Sequence, residues 1–149
     1  MKLGLGFYKT GLNKENFQFA KQVGATHIVA HMVDYTFNRD KVERKLGAAA
    51  GCGYSGNKNK LWTYEELVAL KKSINDAGLE LAAIENFDPS HWYDILLDGP
   101  EKKKQMENIK STIRNVGKAG IPCIGYNFSL AGVWGWVRGP FARGNALSV

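Results

Sequence analysis

Short apolar runs of strand length alternate along the chain with longer stretches in which apolar residues recur at helical spacing. The short runs predict strands near residues 2–7, 26–31, 79–84 and 121–126. The longer stretches predict helices near residues 13–23, 63–77 and 100–118. Because each strand is separated from the next by a helix, the sheet is predicted to be parallel with right-handed crossovers.

One unit of sequence occurs three times, in the segments VGATHIVA, AGLELAAI and AGIPCIGY. In each, a predicted helix ends in glycine and a strand follows at once. Asn13 is placed to cap the first helix, and Thr63 with Glu66 forms the capping box T-x-x-E at the second. The strands end in polar or ring-bearing residues: His31, Glu85-Asn86 and Tyr126-Asn127. The pattern predicts four β/α units, the last without a clear helix.

The third long helix and the segments between elements carry further expectations. Pro100 is expected at its first position, with a buried stripe of Met106, Ile109, Ile113 and Val116. Residues 89–97 are expected to form a loop whose rings line the rim of a site, and residues 32–60 to form a long irregular segment.

Four β/α units fit either a small open sheet of flavodoxin type or the first half of a (β/α)8 barrel. Length favours the open sheet, since a whole barrel needs about 250 residues. The loops favour the barrel, because no Gly-rich phosphate loop leads into a helix. Gly4-Leu5-Gly6 lacks the third glycine of a dinucleotide fingerprint and lies inside the first strand. The α/β chain, residues 1–149, is therefore predicted to be one partial domain, the N-terminal half of such a barrel truncated after its fourth strand.

The composition of the chain bears on which classes of partner it can bind. The chain has 149 residues and a net charge of +6, with 44% hydrophobic and 23% charged residues. The excess of lysine lies in surface runs such as Lys102 to Lys104, and no platform of aromatic and basic residues for nucleic acid is evident. The sequence shows no signal peptide and no transmembrane span, so the cytoplasm is the expected compartment. Cys52 and Cys123 lack the spacing of a metal site, and Cys123 is expected in the core.

Candidate site residues follow the predicted strands, where parallel sheets place their sites. His31 and Glu85 end the second and third strands, and Asn127 follows the fourth with both a donor and an acceptor. The densest cluster of rings and cations is Trp134, Trp136, Arg138 and Arg143. Arginine suits bidentate binding of a carboxylate, so Arg138 is interpreted as a substrate contact, while Arg143 stays open. The alternatives are a structural role for His31, plain surface for Glu85, a sequon for Asn127, and a loop packed over the barrel mouth with solvated arginines for the cluster. His27 is expected to face the helices.

Several of these segments resemble the mannonate dehydratase family. They are KLGLGFY, AKQVGATHIVAH, the helix start Trp62-Thr63-Tyr64-Glu65-Glu66, the strand end at Glu85, GIPCIGYNF and the later Trp136 to Arg138. The resemblance implies a xylose-isomerase-like barrel. It implies a metal-dependent hydro-lyase that uses Mn2+ or Fe2+ to dehydrate D-mannonate to 2-dehydro-3-deoxy-D-gluconate in hexuronate (glucuronate) catabolism. Substrate contacts would then be His31, Glu85, Asn127, Trp136 and Arg138.

Two departures limit what the resemblance implies. Gly135 stands where some relatives carry an Asp before the tryptophan. The family's metal ligands, a Cys, His and Asp set, belong to later strands, so no metal ligand is assigned here and this fragment alone is expected to be inactive. A sugar isomerase or epimerase on the same barrel, or an inactive half-barrel, remains the alternative. The expected partners are a small sugar acid and a second copy in a homo-oligomer, with no nucleic acid and no membrane.

Overall fold

The computed structural model describes residues 2–33, 60–127 and 139–147, in which strands and helices alternate. The strands are β1 (Gly4–Tyr8), β2 (His27–His31), β3 (Glu80–Glu85) and β4 (Ile124–Gly125). The α-helices are α1 (Lys14–Gln22), α2 (Tyr64–Asp76), α3 (Tyr93–Leu97) and α4 (Lys102–Lys118). Single 3-10 turns lie at Lys9–Gly11, Pro89–His91 and Arg143–Asn145.

The four strands form one parallel sheet in the order β1-β2-β3-β4, as predicted. Each strand pairs with the one that follows it in the chain, so every crossover runs in the same direction. Right-handed crossovers in one direction put all the helices on one side of the sheet. A doubly wound sheet reverses its order and carries helices on both sides. The chain therefore has the arrangement of four consecutive units of a (β/α)8 barrel.

A glycine follows each of the three long helices, at a point where the backbone turns through the left-handed region. Gly24, Gly78 and Gly120 have φ of +85°, +73° and +66°. This conformation closes a helix and costs glycine nothing in steric terms. The predicted N-terminal caps are also confirmed. Asn13 accepts from the backbone N–H of Asn16 at 3.0 Å, and Thr63 forms both halves of the capping box.

The buried apolar side chains lie between the sheet and the helices. Phe17 of α1, Leu67 and Ile74 of α2 and Val116 of α4 pack in one cluster with Ile28 of β2 and with the other inward residues of the strands. Among the described residues, no helix packs on the opposite face. We call that face, which carries Gly6, Val29 and Ala83, the open face. Within the described residues the sheet therefore buries its helix-facing side, whereas a parallel sheet is usually covered on both faces.

Lysine side chains tie α1 to the end of α2, and α2 to the end of α4. Lys21 of α1 donates to the carbonyl of Gly78 at 2.8 Å. Lys71 of α2 donates to the carbonyl of Gly120 at 2.7 Å and to that of Ala119 at 3.2 Å. The ammonium groups satisfy carbonyls that have no partner within the helix and oppose the negative end of its dipole.

Four expectations about local structure are wrong. Helix α4 begins at Lys102 after Glu101, so Pro100 precedes the helix. Residues 93–97 form helix α3, because the side chain of Gln105 accepts from the Asp94 backbone N–H and fixes that turn. Ile113 is 49% exposed, since the buried stripe of α4 runs through Gln105, Ile109, Thr112 and Val116. Cys123 is exposed, because it alternates with the inward-facing Ile124.

Candidate functional site

Three neighbouring strands end in a polar or aromatic side chain on the open face. Tyr8 is the last residue of β1 and pairs in register with His31, the last residue of β2. Glu85 is the last residue of β3 and pairs with Gly125 of β4. Because the strands are parallel, these side chains lie together at the carboxyl end of the sheet. That end is where (β/α)8 enzymes place their sites.

His31 and Glu85 are the closest pair in this group. The His31 Nε2 atom lies 3.4 Å from the Glu85 Oε2 atom, and the two side chains are 15% and 47% exposed. The imidazole is thus shielded, while the carboxylate beside it meets solvent. The His31 imidazole can donate or accept a hydrogen bond, and the Glu85 carboxylate beside it can accept one. Together they can bind the hydroxyl groups of a ligand and exchange a proton with it. The structure brings these two predicted residues together; their role as substrate contacts stays a prediction.

An irregularity in β3 puts Glu85 on this face. Ile28 of β2 pairs with Leu81, but the next residue, Val29, pairs with Ala83, so β3 carries one extra residue. Side chains alternate between faces along a strand, and an inserted residue reverses that alternation. Leu81 therefore faces the core, Ile84 also faces it, and Glu85 points to the open face. A Cβ on Gly125 would lie 3.8 Å from Glu85 Cγ, which places both residues on one side.

A second histidine–glutamate pair lies at the amino end of the same two strands. The His27 Nε2 atom is 3.2 Å from Glu80 Oε2, and His27 Nδ1 is 2.6 Å from Thr26 Oγ1. The expectation that His27 faces the helices is wrong. It lies four residues before His31 on a strand, so it shares the open face, while the adjacent Ile28 is buried in the core. The two ends of β2 thus each carry a histidine paired with a glutamate of β3.

Aromatic side chains close the carboxyl end of the sheet beside the pair. Trp62 and Phe87 stack with ring centroids 6.1 Å apart, and Tyr126 lies 6.5 Å from Phe87. Asn86 turns the chain here with a φ of +66°, a left-handed conformation in which asparagine is enriched. The expectation that His91 lines the rim is wrong. It is buried between the carbonyl of Lys60 and the side chain of Asn108, so its role is to hold these segments together.

The remaining predicted site residues lie later in the chain. Asn127 is exposed and follows β4 by two residues, at the same end of the sheet as His31 and Glu85. Arg143 is exposed in the last 3-10 turn. Trp134, Trp136, Arg138 and Cys52 lie outside the described residues. Sequence reasoning missed Tyr8, although its place at the end of a strand was the same signal that pointed to His31.

The described residues do not supply a set of metal ligands. No group of three or more His, Cys, Asp or Glu side chains in residues 2–33, 60–127 and 139–147 could hold a metal ion. His31 and Glu85 offer two ligand groups, and a catalytic divalent site typically takes about three from the protein. This part of the chain therefore does not fit a self-contained Mn2+ or Fe2+ site. Within the same residues, no helix is both long and apolar enough to cross a bilayer.

Comparisons with known proteins agree on one family. The family model described as D-mannonate dehydratase (UxuA) matches residues 3–145. Mannonate dehydratase from Streptococcus suis strain 05ZYH33 is 44% identical over 77 residues, which are 52% of this chain and 20% of that protein. Mannonate dehydratase from Thermotoga maritima is 39% identical over 79 residues, which are 53% of this chain and 21% of that protein.

A solved structure supports the same conclusion. The crystal structure of mannonate dehydratase from Streptococcus suis serotype 2 superposes with a TM-score of 0.58 at 28% sequence identity. The match covers 93% of this chain and 32% of the solved chain. The chain thus spans about a third of the solved relative, and its matched segments span about a fifth of the curated ones.

Proposed function

This chain belongs to the D-mannonate dehydratase family, and we propose that it supplies part of the substrate-binding wall of such an enzyme. The complete enzyme would dehydrate D-mannonate to 2-dehydro-3-deoxy-D-gluconate in hexuronate catabolism. The observation that carries the proposal is the His31–Glu85 pair, 3.4 Å apart on the open face at the carboxyl end of a barrel-type sheet. The family match supplies the substrate class, and the pair supplies groups that suit it.

The reaction removes a proton from the carbon next to the carboxylate and the hydroxyl from the neighbouring carbon, which leaves as water. The enol that remains becomes the 2-oxo acid by taking a proton at the neighbouring carbon. In this scheme His31 and Glu85 hold substrate hydroxyls and fix which carbon faces the base. Asn127 adds one donor and one acceptor at the end of β4. We include Trp136 and Arg138 on the resemblance alone, with Arg138 as the partner of the substrate carboxylate.

A divalent cation, Mn2+ or Fe2+, enters the proposal only through the family. Such an ion would stabilise the negative charge that develops on the substrate oxygens. Because the described residues lack a ligand set, we assign no ligand and no step to it among them. A cytoplasmic location and assembly into a homo-oligomer are also part of the proposal, and neither nucleic acid nor membrane is proposed as a partner.

The test compares the binding of D-mannonate and D-fructose to the 149-residue chain, with NMR used to monitor each titration. We expect D-mannonate to bind with a Kd on the order of millimolar, because only part of a site is present. The neutral ketose D-fructose should bind more weakly. Glu85→Gln should weaken mannonate binding, while Glu80→Gln, the same change in the pair at the other end of β2 and β3, should leave it unchanged.

The outcomes separate the candidate functions. A preference for D-fructose over D-mannonate would favour the isomerase or epimerase alternative. Equal losses from Glu85→Gln and Glu80→Gln would show that the carboxyl end is not the binding end. Thermal melting of both variants checks that each remains folded, since both carboxylates are solvent-exposed and their removal should cost little stability.

A further inference from the structure

The end of β1 carries a side chain that completes one wall around His31. Tyr8 is in register with His31, and the two ring centroids are 4.8 Å apart with planes tilted by 45°. Glu85 lies on the other side of the imidazole, at 3.4 Å from Nε2. His31 is therefore held between an aromatic ring on β1 and a carboxylate on β3. Three adjacent strands contribute one residue each to a continuous arc.

Exposure decides which member of this arc meets a ligand. Tyr8 is 64% exposed and the Glu85 side chain 47%, while the His31 side chain between them is only 15% exposed. Tyr8 and Glu85 therefore offer more surface to a molecule on the open face than the imidazole between them does. Leu5 and Phe7 are the β1 side chains that pack against the core. Tyr8 alternates with them and therefore lies on the open face, away from the core.

The floor below the arc is shallow. Gly6 lies two residues before Tyr8 on the same face, and a Cβ there would stand 3.8 Å from His31 Nε2. Gly125, on β4, pairs with Glu85 and likewise adds no side chain next to it. The glycine beside the imidazole and the glycine beside the carboxylate leave this part of the open face low, so that a chain of hydroxyl-bearing carbons can approach both groups.

We propose that Tyr8 contacts the substrate, with its phenol hydroxyl bonded to a hydroxyl or carboxylate oxygen of the sugar acid and its ring against the carbon chain. This inference rests on the proposed function and adds one contact to those predicted from the sequence. A phenol can donate and accept at once, which suits a polyol, and its ring covers apolar C–H groups. Tyr8 thereby acts as a binding and positioning residue, and the proton transfers are left to other groups.

The test compares four forms of the 149-residue chain in an NMR titration with D-mannonate: wild type, Tyr8→Phe, Tyr8→Ala and Tyr64→Phe. Tyr64 is a matched control because it is an exposed tyrosine in the first turn of α2, on the helix side of the sheet. Tyr8→Phe keeps the ring beside His31 and removes only the hydroxyl. We expect it to raise the Kd about two- to tenfold, the change that corresponds to one neutral hydrogen bond. Tyr8→Ala should raise it further, and Tyr64→Phe should not change it.

Each result has a distinct meaning. If wild type binds and Tyr8→Phe binds equally well, the hydroxyl makes no contact and the inference is overturned while the proposed function stands. If Phe fully rescues the loss seen with Ala, Tyr8 acts only by packing on His31, which also overturns it. If wild type binds no D-mannonate at all, the proposed function fails and this inference fails with it.

Discussion

Gly99 lies where the turn before α4 passes against a buried carboxylate. A Cβ at this position would stand 2.5 Å from Asp94 Cγ and 3.0 Å from Asp94 Oδ2. Asp94 is only 5% exposed, and its Oδ2 accepts from the backbone N–H of Glu101 at 2.7 Å. Its own backbone N–H donates to Gln105 at 2.8 Å. The carboxylate is therefore buried and held by the Glu101 N–H, while the backbone that carries it is held by Gln105, so moving it aside breaks the bond to Glu101.

We predict that Gly99→Ala lowers the free energy of unfolding by about 2–5 kcal/mol. Displacing the carboxylate from the Glu101 N–H loses a hydrogen bond to a charged acceptor, worth about 1.5–3 kcal/mol. Forcing a methyl group into the filled space adds about 1–3 kcal/mol. Gly99 is not among the positive-φ glycines, so alanine suffers no backbone penalty, and its lower unfolded-state entropy returns at most about 1 kcal/mol.

Urea unfolding followed by far-UV circular dichroism measures the change. The control is Gly117→Ala, because Gly117 lies in the last turn of α4, far from Asp94, and a Cβ there meets nothing within 4 Å. We expect that variant to be more stable than wild type by at most about 0.5–1 kcal/mol, the cost of glycine relative to alanine within a helix. Two glycine-to-alanine changes should thus act in opposite directions.

The Asp94→Ala background tests the stated cause. Once the carboxylate is gone, Gly99→Ala should cost less than about 1 kcal/mol, so the two changes should be strongly non-additive. A cost below about 1 kcal/mol in the wild-type background would refute the clash. An equal cost in both backgrounds would show that the methyl group meets something other than Asp94.

Three further predictions concern pH, helix ends and activity. Partial burial raises the pKa of Glu66, but hydrogen bonds, led by that from Lys60, and nearby lysine charges outweigh it and leave this pKa below 4.5. The stability that ionised Glu66 contributes is therefore fully present above pH 4.5 and is lost as the pH falls further. In urea unfolding, the difference in free energy of unfolding between wild type and Glu66→Gln should be smaller at about pH 3 than at about pH 7. Lys71→Met should cost about 1–3 kcal/mol through its lost bonds to the end of α4, whereas Lys72→Met, which removes an exposed pair with Asp76, should cost less than about 1 kcal/mol. The purified 149-residue chain should not turn over D-mannonate with Mn2+; metal-dependent product would show that its own residues hold the ligands.

Local signals account for what the sequence predicted well. The strands and long helices lie within a few residues of their predicted places, because apolar spacing and helix-ending glycines act over short distances. The left-handed φ of Gly24, Gly78 and Gly120 and the capping box at Thr63 follow directly from residue type.

Tertiary contacts account for what it missed. Plain alternation from the buried Leu81 would turn Glu85 toward the helices, and only the extra residue in β3, seen in its pairing with β2, turns it to the open face. Ile113 is exposed because the polar Gln105 and Thr112 take the buried stripe of α4, where Gln105 bonds the Asp94 backbone. Which of two similar residues is buried depends on partners that are distant in sequence.

The three histidines of the chain allow the most direct test of the account. His31 lies at the proposed binding end, His27 lies on the same face at the other end of β2, and His91 is buried beneath Lys60 and Asn108. In imidazole proton–carbon NMR spectra, D-mannonate should shift the His31 signals in a saturable way and leave those of His27 and His91 in place. Saturable shifts at His27 with none at His31 would contradict the claim that the carboxyl end of this sheet binds the sugar acid.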